Sequence, residues 1–221
     1  MGIQERKKRE KEQRRKEILD AAERVFFSKG LKNATMDEVA EEAELSKGTI
    51  YLYYKNKDEL FLGLIFQGMQ IMLDMFKKAI QGEGNGLEKT FRIGYAYLNF
   101  AKEYPDYYNA LSHFRLDELE YENAECQDSV ACQCSDFGHN SLEILGNIIK
   151  QGIGDGSIRS DIDPEQTSTI LYGMTTGIIE LVALKGEHLK NQHGLKMDNI
   201  VDCYFDFVRC ALEPKQIPVK P

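Results

Sequence analysis

The chain has 221 residues, 42% of them apolar and 29% charged, with a formal charge of −8. The apolar share is enough for a sizeable core, and the acidic total excludes a protein that coats nucleic acid over its whole surface. Five cysteines, an odd number, fit free thiols in a reducing compartment better than a disulfide framework.

The charge is unevenly placed. Residues 1–57 hold 14 Lys/Arg against 11 Asp/Glu, whereas the remainder holds 14 against 25. Eight basic and three acidic side chains fall within residues 1–16 alone. The run KKREKEQRRK is ordinarily a solvated, helix-extending stretch; it could also form a basic N-terminal arm that follows phosphates or reaches a minor groove. Asp20, Glu23 and Arg24 interrupt the apolar residues after it, so it does not read as a signal peptide. The most apolar stretch, 177–184, contains Glu180 and is too short to span a bilayer. A cytoplasmic location without membrane partners is expected.

The first helix is expected from about Lys8 to Ser28, with Ile18, Ala21, Ala22, Val25 and Phe26 on one face and Gly30 as its stop. Three helix starts then follow in quick succession. Thr35 with Glu38 makes a capping box, Ser46 restarts the chain, and Asn56 with Glu59 opens a long helix running to about Ile80. The short middle helix carries Lys47, Gly48, Thr49, Tyr51, Tyr53 and Tyr54, and no acid falls between Ser46 and Lys57. A short helix, a tight turn and a second helix of that character form a helix-turn-helix suited to a major groove.

Helical spacing continues to the C-terminus, without strand-like alternation. The loop QGEGNG (81–86) precedes a helix from about Leu87 to Glu103. Pro105 and Asp106 open another with Tyr107, Tyr108, Leu111 and Phe114. After an acidic stretch, 117–128, a helix is expected from about Ser129 to Gly152, then a turn over 152–157. Asp163, Pro164 and Gln166 start a helix to about Lys185. A polar loop, 186–196, leads to a last helix with Ile200, Val201, Tyr204, Phe205, Val208, Ala211 and Leu212 in one apolar stripe, stopped by Pro214. The expected fold is all-α, with about nine helices: a three-helix DNA-binding domain over 1–57, a larger helical domain over 58–213, and a loose tail over 214–221.

Residues 12–62 resemble the DNA-binding domain of the tetracycline-repressor (TetR) family. The resemblance rests on Ile18, Ala21, Ala22, Phe26 and Gly30, then Thr35 with Val39 and Ala40. It continues through Ser46-Lys47-Gly48-Thr49-Ile50-Tyr51, Tyr53-Tyr54 and Lys57-Asp58-Glu59-Leu60. The family has glycine in the turn where this chain has Glu44, so a left-handed cap there should be strained or absent, and a slightly different turn is expected. The resemblance implies backbone-contacting roles for Thr35, Ser46, Tyr53 and Lys57. Lys47, Gly48, Thr49 and Tyr51 lie at the start and exposed face of the recognition helix, where a lysine can donate to guanine and a threonine methyl can touch thymine. Ile50 and Tyr54 are expected to pack against the first helix.

Family likeness further implies a homodimer on a palindromic double-stranded operator, formed through the last two helices. Ile170, Met174, Ile178, Leu181, Tyr204, Phe205 and Val208 are the candidate interface, with Gly173 and Gly177 allowing close approach. It also implies an unidentified small-molecule effector held in the body. Tyr95, Phe100, Tyr107, Tyr108, His113, Phe114, Phe137 and Met174 could line that pocket, although aromatics at helical spacing are also ordinary core.

The expected function is a sequence-specific transcriptional regulator, a repressor released by its ligand, with no cofactor or resident metal. Two alternatives stay open. Cys126, Cys132, Cys134 and His139 could make a thiol- or metal-responsive regulator on the same scaffold, with His188 and His193 needing outside help to bind metal. The fold could also serve an interaction protein or thiol enzyme that no longer reads DNA, although no catalytic constellation is apparent.

Overall fold

A computed structural model describes residues 2–112 and 130–214, the side chains of Ile3, 130–139 and Leu184 apart. Among the described residues there is no strand. The helices are α1 Ile3–Lys29, α2 Met36–Glu42, α3 Lys47–Tyr51, α4 Lys57–Ala79, α5 Gly86–Glu103, α6 over 105–112, α7 Val130–Asp155, α8 Pro164–His193 and α9 Met197–Leu212. The fold is all-α, as expected.

Helices pack as two compact units. The first contains residues up to Gln70 with the described part of 106–135; the second contains 71–105 and the described residues from 136 onward. These packing units do not follow the 57/58 division read from the recognition sequence. Leu60 and Leu64 of α4 are wholly buried in the core of the first unit, so α4's opening turns belong to it. Tyr107 of α6 joins it too, donating its hydroxyl to Glu23 Oε2 at 2.7 Å and meeting Phe27 edge to face at 5.0 Å. Gly68 lies under that ring, where a Cβ would come within 2.7 Å of it. Burial, and then the Glu23 carboxylate, push the Tyr107 phenol upward.

The first unit's core is Ile18, Ala21, Ala22, Val25 and Phe26 from α1, closed by Val39, Ala40, Ile50, Tyr54, Leu60 and Leu64. This is the face expected from the helical spacing. Helix α1 starts at Ile3 rather than near Lys8. The reason is the charge run itself, whose Arg6–Glu10 (2.7 Å) and Lys8–Glu12 (3.9 Å) pairs sit one turn apart and favour helix. The basic segment is therefore an exposed helical extension, and an extended arm is not observed.

In the second unit α5 and α7 cross at two glycines: a Cβ on Gly86 would lie 2.2 Å from the Gly152 backbone. Gly152 thus serves close approach and does not end α7, which continues to Asp155. Asp155 then caps α5, its carboxylate accepting from Gly86 N at 2.8 Å, while Ser157 Oγ accepts from Leu87 N at 3.1 Å. Helix α8 also runs further than expected, to His193, and ends on a left-handed Gly194. Residues 186–193 are polar because they are mostly exposed, and polarity alone does not break a helix. Thr175 Oγ1 and the Tyr204 hydroxyl hydrogen-bond at 2.6 Å, joining α8 to α9 within the buried layer. Among the described residues one helix, α4, is long and apolar enough to cross a membrane, and 44% of its apolar window is buried.

Candidate nucleic-acid interface

Five residues cannot hold a helix by their own propensity, so α3 depends on its cap and its anchors. Ser46 Oγ accepts from Thr49 N at 3.1 Å and shares a hydrogen bond of 2.8 Å with Thr49 Oγ1. Ile50 is completely buried and Tyr54, one turn later, is 3% exposed. These two inward positions set the register. Lys47, Gly48, Tyr51 and Leu52 consequently stand exposed, with Thr49 half-buried.

The turn before α3 keeps a left-handed residue without glycine. Glu44 has φ 54, and it is the only non-glycine residue with positive φ among the described residues. Leu45 N donates to Ala40 O at 2.9 Å and Glu44 N to Glu41 O at 3.0 Å. That pair of bonds is the Schellman closure of α2, with the apolar Leu45 packed on the core behind it. The expectation of an altered turn is corrected: the hydrogen-bonded geometry is retained, and Glu44 carries its conformational cost.

Two cations of the predicted set are already engaged. Lys47 Nζ pairs with Asp37 Oδ1 of α2 at 2.5 Å, and this hydrogen bond raises the affinity of the lysine for its proton. Lys57 Nζ donates to Leu31 O at 2.8 Å, Ala34 O at 3.2 Å and Lys32 O at 3.5 Å. Lys57 therefore clamps the start of α4 to the α1–α2 loop, a structural duty that its spacing did not reveal. Thr35 Oγ1 accepts from Glu38 N at 3.3 Å, and the Glu38 carboxylate accepts from Thr35 N at 2.9 Å. The Lys29 ammonium and the Thr35 bonds hold the Glu38 carboxyl below its ordinary value. Tyr53 is half-buried against the core. The first unit thus presents Thr35, Ser46, Lys47, Gly48, Thr49 and Tyr51 toward solvent, wholly or in part, with Lys57 and Tyr53 supporting them from behind.

A profile of bacterial regulatory proteins of the tetR family matches residues 18–64. Over 168 residues the chain is 31% identical to YhgD, an uncharacterised helix-turn-helix transcriptional regulator of Bacillus subtilis, covering 75% of this chain and 82% of that protein. The chain belongs to the TetR family of DNA-binding transcriptional regulators. It is also 25% identical over 184 residues to the fatty acid metabolism regulator protein of Bacillus subtilis, covering 79% and 91% of the two chains. The crystal structure of AibR in complex with isovaleryl coenzyme A and operator DNA shares the fold, with a TM-score of 0.61, 17% identity and coverage of 88% and 97%.

One exposed residue of this TetR-family regulator escaped the sequence reading. Leu52 follows α3 and is 82% exposed, beside a 43% exposed Tyr51. A leucine between two tyrosines ordinarily counts as core; only its offset of two from the buried Ile50 signals the outward position.

The predicted effector residues that are described stand in different settings. Phe100, Tyr107 and Tyr108 are buried, the two tyrosines in the first unit, and Met174 is 42% exposed. Tyr95 lines an open groove of the second unit. His113, Phe114 and Cys126, and the side chains of Phe137, Cys132, Cys134 and His139, lie outside the described residues. His188 and His193 stand on the closing turns of α8 rather than in a loop. Among the described residues no three His, Cys, Asp or Glu side chains come together as metal ligands.

The predicted dimer residues divide. Ile170 and Met174 are exposed and Ile178 and Leu181 half-buried, whereas Tyr204, Phe205 and Val208 are buried within the protomer itself. The latter three are corrected to core: they are the inward stripe that seats α9, with Phe205 stacked 3.9 Å from Tyr95. The outward side of α9 instead carries Cys203, Phe207 (67% exposed) and Cys210.

Proposed function

We propose that the protein is a homodimeric, ligand-released repressor acting in the cytoplasm on a palindromic operator. The observation that carries this reading is the outward face of α3, an acid-free surface of Lys47, Gly48, Thr49, Tyr51 and Leu52 fixed from behind by Ile50. One five-residue helix reads only a few base pairs, and a two-fold pair of them about 34–36 Å apart reads a palindrome. The apolar stripe of α8, where Ile170 and Met174 are exposed and nothing stands within 4 Å of a Cβ on Gly173 or Gly177, supports pairing through α8 and α9. Lys47 and Tyr51 read bases, Leu52 meets a thymine methyl, and Thr35 and Ser46 contact phosphates beside their capping bonds. Asp37 competes with guanine for Lys47, which favours correct sites over random ones. The effector acts by preferring a dimer whose recognition helices are wrongly spaced, and a differential affinity of a few kcal/mol is enough. The acyl thioester of the AibR complex and the fatty acid regulator among its relatives make acyl-coenzyme A esters the class to test first.

Selection of bound sequences from a random DNA pool tests this directly. Wild type should recover a palindrome, and Lys47→Ala or Tyr51→Ala should lose roughly ten- to a hundredfold at that site with relaxed specificity. Enrichment of no sequence by reduced, ligand-stripped protein at low salt would overturn the reading.

A further inference from the structure

Between α5 and α9 the second unit has an open groove of about 600 Å³, within the size range of small-molecule sites. Three aromatic rings line it, Phe91 and Tyr95 from α5 and Phe205 from α9. The ring of Tyr95 lies 3.9 Å from that of Phe205 with 25° between their planes, and Tyr95 remains 45% exposed. Nearly half of Tyr95 is therefore left to solvent. Phe205 also meets Phe91 edge to face at 5.8 Å.

Charged side chains from both helices also line it, and their pairing leaves acids over. Arg92 pairs with Glu88 at 3.9 Å, and Arg209 pairs with Glu213 at 3.4 Å while lying 4.6 Å over the Phe91 ring. Asp202 and Asp206 also line the groove, and neither forms an ion pair among the described residues. They stand one turn apart on α9, an arrangement in which like charges repel and weaken the helix. Two arginines and the start of α5 could suggest an anion. Both guanidiniums already face carboxylates, however, and Asn85 with Glu88 closes the start of α5. The uncompensated charge is negative.

We infer that this groove binds a small organic cation, its substituted ammonium held by Asp202 and Asp206 and set against the Tyr95 ring. Aromatic faces and carboxylates together are the chemistry that recognises substituted ammonium groups. An inorganic cation fits less well, because no three metal-ligating side chains converge among the described residues. The site borders the outward face of α9, Asp206 lying one turn from Cys210. At about 100° per residue, Asp202 and Asp206 sit roughly 100–140° around α9 from Phe207. The inference does not rest on the DNA-binding reading, because its test reads binding to the protein without DNA.

Tetraethylammonium, titrated into the full chain by calorimetry and saturation-transfer NMR, is the test. Saturable binding is expected, weakened at least tenfold in Asp202→Asn/Asp206→Asn and in Tyr95→Leu, and retained in Tyr95→Phe. Its uncharged isostere 3,3-diethylpentane's soluble alcohol analogue, 3-ethyl-3-pentanol, should not bind. All three positions are exposed, so circular dichroism should show each variant folded. Absence of saturable binding, or equal binding by wild type and the double Asn variant, would overturn the inference.

Discussion

Glu44 and Gly48 occupy opposite kinds of position, although both lie beside the recognition helix. Glu44 holds a backbone conformation that suits glycine, at φ 54. Glu44→Gly should raise stability by about 1 kcal/mol, the cost of a left-handed L-residue less part of glycine's entropy; urea unfolding measures it, and a loss of stability would contradict the strained cap. Gly48 has ordinary helical backbone, and a Cβ there would meet nothing closer than Ser46 Oγ at 3.8 Å. Gly48→Ala should therefore leave the free protein as stable or more so, by up to about 1 kcal/mol, while weakening operator binding in a mobility-shift titration. Such a split would place the need for glycine at the DNA surface. Lys57 behaves differently again. Removing an ammonium that three carbonyls share should cost about 1–3 kcal/mol, so Lys57→Met should lower the unfolding midpoint as well as DNA affinity.

At the scale of elements, close approaches and remote caps hold the helices together within each unit. The Asp155 cap on α5 gives a pH signature. The Ser157 hydroxyl and then the Gly86 N–H hold its carboxyl below the ordinary aspartate value. A depressed folded pKa adds stability that is fully present above about pH 4 and is lost as pH falls through the folded value. The stability gap between wild type and Asp155→Asn should be constant at neutral pH and shrink in acid, as followed by urea unfolding across pH 2–7. A pH-independent gap would assign the cap's worth to shape alone. Gly86 and Gly152 were legible as loop and turn residues, but the sequence offered no sign that they face each other. Their contact spans 66 positions, and nothing in local spacing encodes a partner that far away.

On the scale of the whole molecule, the proposed dimer separates inward from outward residues on α8 and α9. Met174→Glu or Phe207→Glu puts a charge on a surface the protomer leaves exposed. Either should keep the fold, yield monomers in sedimentation, and abolish tight operator binding. Phe205→Glu, placing a charge in the packed core, should unfold the protein instead. A folded dimer from both exposed-face variants would move the interface elsewhere.

The sequence by itself determined the helical class, the three helix starts around the recognition helix, and the family. Each depends on short-range chemistry: a capping oxygen within three residues, an apolar side chain one turn away, a run without acids. Tertiary structure alone decided which face each helix turns inward. The stripe Tyr204, Phe205 and Val208 was visible as apolar, yet an apolar stripe can meet its own core or another chain, and only packing on Tyr95 and Thr175 made it core. The same holds for Lys57, whose carbonyl partners lie 23–26 residues away, and for Leu52, whose exposure follows from where Ile50 is anchored. Side-chain direction is a property of the assembled helices, and no window of sequence contains it.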